Sequence, residues 1–218
     1  MHNEALSSRL NQARKELLVD AAEIVFLRGG VESSSMSDIA KEAGCSKRTV
    51  YHHFSSKDDL IAEVMLRGFT LLLEKLEEAE RANEAANPLM RLQGAARVLF
   101  DFHNDYPEYF RTIVEYQPQE DACESPDSIL GRMYLLGNRA NDVLVSIITD
   151  GQQQGIFRRD LDPDAAAATL WVSVQGALWV GMRKTHYLQA SHNLDQETLF
   201  GILLGLLTES PLYLHTEN

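Results

Sequence analysis

Residues Ser34 to Leu60 read SSMSDIAKEAGCSKRTVYHHFSSKDDL, and this order predicts two short helices joined by a glycine turn. Ser35 is placed to cap the first helix, and Asp38, three positions later, is its capping-box partner. Gly44 supplies the left-handed residue that ends this helix. The stretch therefore begins with a complete set of start and stop signals for one short helix.

The second helix is predicted from Lys47 to His53, with Ser46 as its cap. Val50 and Phe54 lie four positions apart and therefore face the interior together. The outward positions are Lys47, Arg48, Thr49, Tyr51 and His52. Cations, a hydroxyl and a phenol on one face suit phosphates and base edges, so a helix-turn-helix that binds DNA is predicted over residues 35–54.

At this spacing the stretch resembles the TetR family of bacterial transcription regulators. The matching positions are Ser34, Ser35, Met36, Ile39, Ala40, Ala43, Gly44, Ser46, Thr49, Val50, Tyr51, His53, Phe54, Lys57 and Leu60. Cys45 stands where valine is usual. The resemblance implies that Lys47, Arg48 and Thr49 approach base edges, that Ser35, Tyr51, His52 and Lys57 hold phosphates, and that Ser46 caps. Arg48 is our candidate for a bidentate contact with guanine.

The net charge of -12 at first argues against a partner as acidic as DNA. Residues 1–60 carry eight basic and nine acidic side chains, whereas residues 61–218 carry twelve and twenty-three. Three cations and no acids lie between Cys45 and Lys57. The acidity therefore lies mostly outside the predicted reader, where it either orients docking or only aids solubility.

The chain shows no feature of a secreted or membrane protein. Cys45 and Cys123 lie too far apart to indicate a disulfide framework, and the N-terminus MHNEALSSRLNQARKE has no apolar core of a signal peptide. Residues 165–182 are uncharged but barely long enough to cross a bilayer, and they include polar side chains. We predict a cytoplasmic protein without a membrane partner, in which this segment is a buried helix.

Helical periodicity over most of the chain predicts an all-α protein of about nine helices. An N-terminal three-helix DNA-binding domain is predicted over residues 9–60, joined to a C-terminal helical ligand-binding and dimerisation domain over residues 61–218. The first helix is predicted from Arg9 to Leu27. Its predicted buried stripe is Leu10, Ala13, Leu17, Ala21, Ile24 and Val25. The polar residues 117–128 are predicted to form a loop suited to a mobile lid.

Two apolar helices near the C-terminus predict a homodimer. The helix that follows Asp162 and Pro163 is apolar on all sides, and residues 199–207 read LFGILLGLL. Two such helices from each chain would form a four-helix interface, which the TetR resemblance also implies. The predicted interface residues are Val172, Gly176, Trp179, Gly201 and Gly205. The alternative is that these faces form ordinary core.

A dimer would place two recognition helices about 34 to 36 Å apart, or a multiple of it, and so read an inverted-repeat operator. The resemblance implies that a small molecule, whose identity the sequence does not give, binds among the C-terminal helices and releases the DNA. Candidate effector contacts are Phe100, His103, Phe110, Met133, Trp171 and Trp179. Each of these is also a reasonable core residue.

No catalytic residue, cofactor or metal site is predicted. The sequence contains no P-loop, no G-x-S-x-G, no H-E-x-x-H and no dinucleotide fingerprint, and its histidines lack dense ligand spacing. A redox role for Cys45 is less favoured than a small thiol replacing valine. We predict a sequence-specific DNA-binding transcriptional regulator, most simply a repressor. A helical adaptor that dimerises without DNA and a small-molecule enzyme are the alternatives.

Overall fold

The computed structural model describes residues 2–115 and 128–209, which form nine helices and no β-strand. These helices are α1 (His2–Gly29), α2 (Met36–Glu42), α3 (Lys47–His53), α4 (Lys57–Ala82), α5 (Pro88–Asp105), α6 (Pro107–Glu115), α7 (Ile129–Gln153), α8 (Pro163–His192) and α9 (Gln196–Glu209). The all-helical prediction is confirmed. Cys123 and nearly all of the loop predicted over residues 117–128 lie outside the described residues.

The described residues divide into two compact units, and the division falls inside α4 after Gly68. One unit contains residues 2–68 and 128–132, and the second contains residues 69–115 and 133–209. The first unit extends beyond the predicted boundary at residue 60. Leu60, Val64 and Met65 are buried, with at most 2% of each exposed, so the first turns of α4 belong to a packed core.

Helices α2 and α3 follow from the local signals in their sequence. Ser35 has extended backbone angles, its Oγ accepts from the N–H of Asp38 at 3.3 Å, and its own N–H donates to Oδ2 of Asp38 at 2.9 Å. Ser46 caps α3 by accepting from the N–H of Thr49 at 3.1 Å. Gly44 has a φ of 64° and connects the two helices. The predicted capping box and glycine turn are confirmed.

The left-handed backbone at Gly44 leads to a stability prediction. Gly44→Ala should lower the free energy of unfolding by about 1 to 2 kcal/mol, because a Cβ disfavours this conformation. No atom lies within 4 Å of an added Cβ, so the loss would be conformational rather than steric. Urea denaturation measures it. The control is Gly94→Ala inside α5, where an added Cβ also meets open space and alanine should stabilise by about 0.5 to 1 kcal/mol. Equal stability of Gly44→Ala and the parent would contradict the turn argument.

Helix α1 buries a different face from the one predicted. Of the predicted stripe, Ala21 is buried, whereas Leu10 and Leu17 are 55% and 63% exposed. The residues that α1 contributes to the core are Leu18, Val19, Ala21, Ala22 and Phe26. Both faces are apolar at helical spacing, so periodicity alone does not distinguish them. Packing against α2 selects the face that carries Phe26.

A buried arginine joins three helices of the second unit. Arg91 of α5 is 7% exposed, and its Nε donates to Oε1 of Glu80 at 2.9 Å. Its Nη2 also donates to that carboxylate, while its Nη1 donates to Oδ2 of Asp150 at 2.8 Å. Because Glu80 belongs to α4 and Asp150 to α7, one planar guanidinium holds both helices against α5.

Helix α8 begins as the sequence predicts, with Oδ1 of Asp162 accepting from the N–H of Ala165 at 2.9 Å. Among the described residues it is the one helix long and apolar enough to cross a membrane. Its buried residues are Ala167, Val174, Leu178 and Gly181, and it packs on α5, α6 and α9. One face of α8 therefore contributes to the core of the second unit. Most of residues 165–182, which were predicted to be buried, are not buried within the single chain, because no other described helix covers their remaining faces.

Candidate functional site

The recognition helix α3 presents its predicted polar face to solvent. Lys47, Arg48 and His52 are exposed, and Tyr51 is 49% exposed. Nζ of Lys47 lies 5.7 Å from the centroid of the Tyr51 ring, so these two side chains share one face. Within residues 2–115 and 128–209, the Arg48 side chain has neither a hydrogen-bond partner nor an ion-pair partner. Its guanidinium is therefore available to a partner outside the chain.

The opposite face of α3 anchors it. Val50 is fully buried and Phe54 is 5% exposed, as the spacing of the two residues predicts. Desolvation lowers the pKa of His53, and the nearby charges of His52, Lys15 and Arg14 lower it further. His53 therefore tends to stay neutral on the half-buried side of the helix. The cations of α3 that face solvent are therefore Lys47 and Arg48.

Three of the predicted DNA-binding residues, Ser35, Ser46 and Thr49, also make hydrogen bonds within the fold. The hydroxyl of Ser35 donates to Oδ2 of Asp38 at 2.6 Å, and this side-chain hydrogen bond, with the backbone N–H of Ser35, lowers the pKa of the Asp38 carboxyl. Oγ1 of Thr49 lies 2.9 Å from Oγ of Ser46. Ser35 and Ser46 are exposed and Thr49 is half-buried, so DNA contacts by all three stay predictions.

Lys57, which the resemblance assigns to a phosphate, makes two hydrogen bonds within the protein, and its phosphate contact stays a prediction. Nζ of Lys57 donates to the carbonyl of Val31 at 3.0 Å and to the carbonyl of Ser34 at 3.1 Å. Ser34 in turn donates its hydroxyl to the carbonyl of Gly30 at 2.6 Å. Two carbonyls therefore engage the half-buried ammonium, and Lys57 fastens the connection between α1 and α2.

Replacing Lys57 distinguishes a fastening role from a phosphate contact. Lys57→Met should lower the free energy of unfolding by about 1.5 to 3 kcal/mol, since hydrogen bonds to a charged donor are lost from a half-buried site. Its DNA affinity should fall with no change in the slope of log affinity against log salt. Urea denaturation and salt-dependent binding measure the two effects.

The matched control is Lys47→Met, which removes an exposed cation of the recognition helix. A lysine that approaches base edges also displaces counterions from the nearby phosphates, so its loss should reduce the salt slope by up to about 0.9. A reduced slope with unchanged stability in Lys57→Met would restore the phosphate contact predicted from the sequence.

The second unit contains an apolar cavity of about 30 Å³. Its walls come from α4, α5, α7, α8 and α9. The lining residues are Leu76, Leu92, Ala95, Ala96, Leu99, Leu144, Leu170, Trp171, Val174 and Leu204. None of these side chains is charged, so the cavity is suited to hydrocarbon.

The structure brings one of the six predicted effector contacts, Trp171, to this cavity. Phe100 is buried and stacks on Phe200 with 4.4 Å between ring centroids. His103 and Phe110 are buried against each other with 4.8 Å between centroids. The remaining two are Met133, which is buried, and Trp179, which is half-buried with the Arg183 guanidinium 4.1 Å from its ring centroid. Leucines and alanines, which are not among the predicted effector contacts, line most of this cavity.

The predicted dimer residues lie on accessible faces of the single chain. Val172 is 65% exposed, and Gly176 and Gly201 are exposed. Gly205 and Trp179 are half-buried. Further exposed apolar side chains on the same two helices are Val180, Ile202 and Leu206. Helices α8 and α9 pack on each other and leave apolar surface uncovered.

The described residues contain no group of three or more histidine, cysteine, aspartate and glutamate side chains arranged to hold a metal ion.

Cys45 is half-buried, with its Sγ 3.6 Å from the carbonyl oxygen of Ser46. It therefore occupies a packed position in the turn, next to the cap of α3. The geometry of the first unit supplies charge and hydrogen-bond donors for DNA.

Comparison with known proteins places this geometry in a family. The model of "Bacterial regulatory proteins, tetR family" matches residues 18–64, which span the helix-turn-helix. The HTH-type transcriptional repressor KstR2 of Mycobacterium tuberculosis is 31% identical over 181 residues, which cover 79% of this chain and 84% of the repressor. The likeness therefore extends well beyond the DNA-binding helices.

Solved structures share the fold. The transcriptional regulator FadR from Bacillus subtilis, in complex with stearoyl-CoA, is 21% identical with a TM-score of 0.68, over 89% of this chain and 97% of that chain. AibR, in complex with isovaleryl coenzyme A and operator DNA, is 21% identical with a TM-score of 0.62, over 89% and 98%. The family-model match and the likeness to KstR2, together with the recognition helix, show that the chain belongs to the tetR family of bacterial regulatory proteins and is a DNA-binding transcriptional regulator.

Proposed function

We propose that this chain is a homodimeric repressor that binds an inverted-repeat operator and leaves it when an apolar small molecule binds. The observation that carries the proposal is the exposed face of α3, which presents Lys47, Tyr51, His52 and the Arg48 guanidinium, a group with no partner among the described residues. In this proposal residues 9–60 bind DNA, and residues 61–218 bind the effector and dimerise. The proposed repressor acts in the cytoplasm, where bacterial DNA lies. It is not proposed to be an enzyme.

The proposed dimer is supported by the faces that α8 and α9 leave exposed. Val172, Val180 and Leu206 are each more than half exposed. An exposed apolar face of this kind is costly in a monomer and typical of an interface between subunits. Two-fold pairing makes the two recognition helices symmetric, so the operator should be an inverted repeat.

The proposed effector class follows from the cavity, which is lined by hydrocarbon. FadR is named with stearoyl-CoA and AibR with isovaleryl coenzyme A, and an acyl chain fits an apolar cavity of this kind. At about 30 Å³ the cavity has room for one or two water-sized groups, so a longer chain must separate the helices. In this proposal the effector binds best to a conformation in which the helices that line the cavity have moved apart, and release from DNA requires such a preference for one conformation.

The proposed sign of regulation is repression. KstR2 is named a repressor, and occupation of a promoter blocks polymerase directly. Footprinting of the DNA upstream of this gene and its neighbours tests the sign, symmetry and effector together. We expect a protected inverted repeat that is lost on addition of an acyl-CoA from a series of chain lengths.

The matched control is Tyr51→Ala, which changes one exposed side chain of α3 and leaves both units intact. A regulator should lose protection in this variant, whereas an adaptor that binds no DNA would be indifferent to it. Protection of a single asymmetric site, or protection that persists with every acyl-CoA, would contradict the dimer or the effector class respectively.

A further inference from the structure

His103 on α5 carries a buried polar atom that the core does not satisfy. The residue is 3% exposed. Among the described residues, Nε2 of His103 has no hydrogen-bond partner. A buried polar atom without a partner costs about 1 to 3 kcal/mol, and native cores rarely keep one without a use for it.

The other ring nitrogen fixes which kind of partner Nε2 requires. Nδ1 of His103 lies 3.0 Å from Oδ1 of Asn104, and this carbonyl oxygen only accepts hydrogen bonds. Nδ1 therefore carries the proton and donates. Burial lowers the pKa of His103 and favours the neutral ring, in which Nε2 is an acceptor. The unsatisfied atom requires an O–H or N–H donor.

The position of His103 on α5 relates it to the apolar cavity. Leu92, Ala96 and Leu99 line the cavity at helical spacing, and His103 follows Leu99 by four residues. Residues at this spacing share a helix face, about 6 Å apart along the axis. The ring of Phe110 packs edge-on against His103 at an interplanar angle of 88° and holds it in place. His103 does not itself line the cavity; it lies one helical turn beyond the wall residue Leu99, on the same face of α5.

We infer that His103 recognises a hydroxyl group on the effector, with its Nε2 accepting the hydrogen bond while the hydrocarbon of the effector occupies the cavity. This inference rests on the proposed function. The oxygen atoms of a carbonyl, a thioester or a carboxylate only accept hydrogen bonds. Since Nε2 is itself an acceptor, these groups would leave it unsatisfied. A hydroxyl is the small neutral donor that completes an otherwise apolar site.

A pair of isomers tests the inference with a readout inside the cavity. 1-Octanol and heptyl methyl ether have the same atoms, but only the alcohol donates a hydrogen bond. The protein carries Trp179→Phe, so that Trp171 of the cavity wall is its one tryptophan and its fluorescence reports occupancy. We expect the alcohol to bind about fivefold more tightly than the ether, as one net hydrogen bond implies.

Two variants separate hydrogen bonding from packing. His103→Phe, in the same background, should bind both isomers with equal affinity. His103→Gln keeps a side-chain carbonyl acceptor and should retain part of the preference for the alcohol. Circular dichroism melting of each variant confirms that the helices are folded.

Equal affinity of the parent protein for the two isomers would overturn the inference while leaving the apolar cavity as an effector site. Failure of both isomers to change the fluorescence of Trp171 would overturn it together with the proposed effector class. Neither result alters the footprint of the effector-free protein, so the DNA-binding part of the proposal is judged separately.

Discussion

Arg91→Met is expected to lower the free energy of unfolding by about 3 kcal/mol. Breaking a buried ion pair from one side costs about 3 to 5 kcal/mol, because the remaining charges lose their partner. The side chains of Glu80 and Asp150 are 22% and 40% exposed, so water compensates part of the loss and the lower end of that range applies. Urea denaturation followed by circular dichroism measures the change.

The matched control is Arg97→Met on the same helix. Arg97 also pairs with two carboxylates, those of Asp101 and Glu197, but its side chain is 48% exposed. An exposed pair contributes about 0 to 1 kcal/mol, so this variant should be close to the parent in stability. Equal losses in the two variants would show that burial does not set the energetics at Arg91. Arg91→Lys should fall between parent and Arg91→Met, since the ammonium keeps the charge but loses the planar fork.

Arg48→Ala is expected to weaken specific operator binding by about 1 to 3 kcal/mol and to relax the preference at one base pair. The guanidinium is exposed and unpaired among the described residues, so its loss costs the fold little. Binding to a panel of operators with single base changes, at fixed salt, measures both affinity and specificity.

Arg158→Ala is the control for the change in net charge. Arg158 pairs with Asp160 outside the helix-turn-helix, and its loss should leave the base preferences unaltered. If Arg48→Ala weakens all sequences alike, Arg48 contacts phosphate rather than a base edge.

The helix-turn-helix was the most predictable part of the chain because its signals are local. Ser35 and Asp38 lie three residues apart, and Gly44 occupies the left-handed turn, so each cap is defined within one turn of helix. The buried pair Val50 and Phe54 follows from helical spacing alone. Family membership and the DNA-binding class of function rest on this stretch, and both are confirmed.

The features that the sequence did not predict are decided by tertiary packing. Leu17 on α1 was expected inside and is exposed, because Phe26 and its neighbours form an equally apolar face. The sequence predicts effector contacts among aromatic and sulfur side chains and gives no sign of the cavity. Its walls instead include Ala95 and Ala96, since space in a core arises where side chains are small. A cavity next to small side chains can be predicted only when the positions of the opposing helices are known.

The small volume of that cavity has a kinetic consequence. Packed helices leave about 30 Å³, so a larger guest enters only after the walls have moved apart. At high guest concentration the observed association rate should therefore reach a plateau at the rate of opening, which stopped-flow fluorescence would show. In the proposed mode of release, the response time of this regulator at saturating effector is therefore set by the opening of its own helices, and effector beyond that concentration does not shorten it.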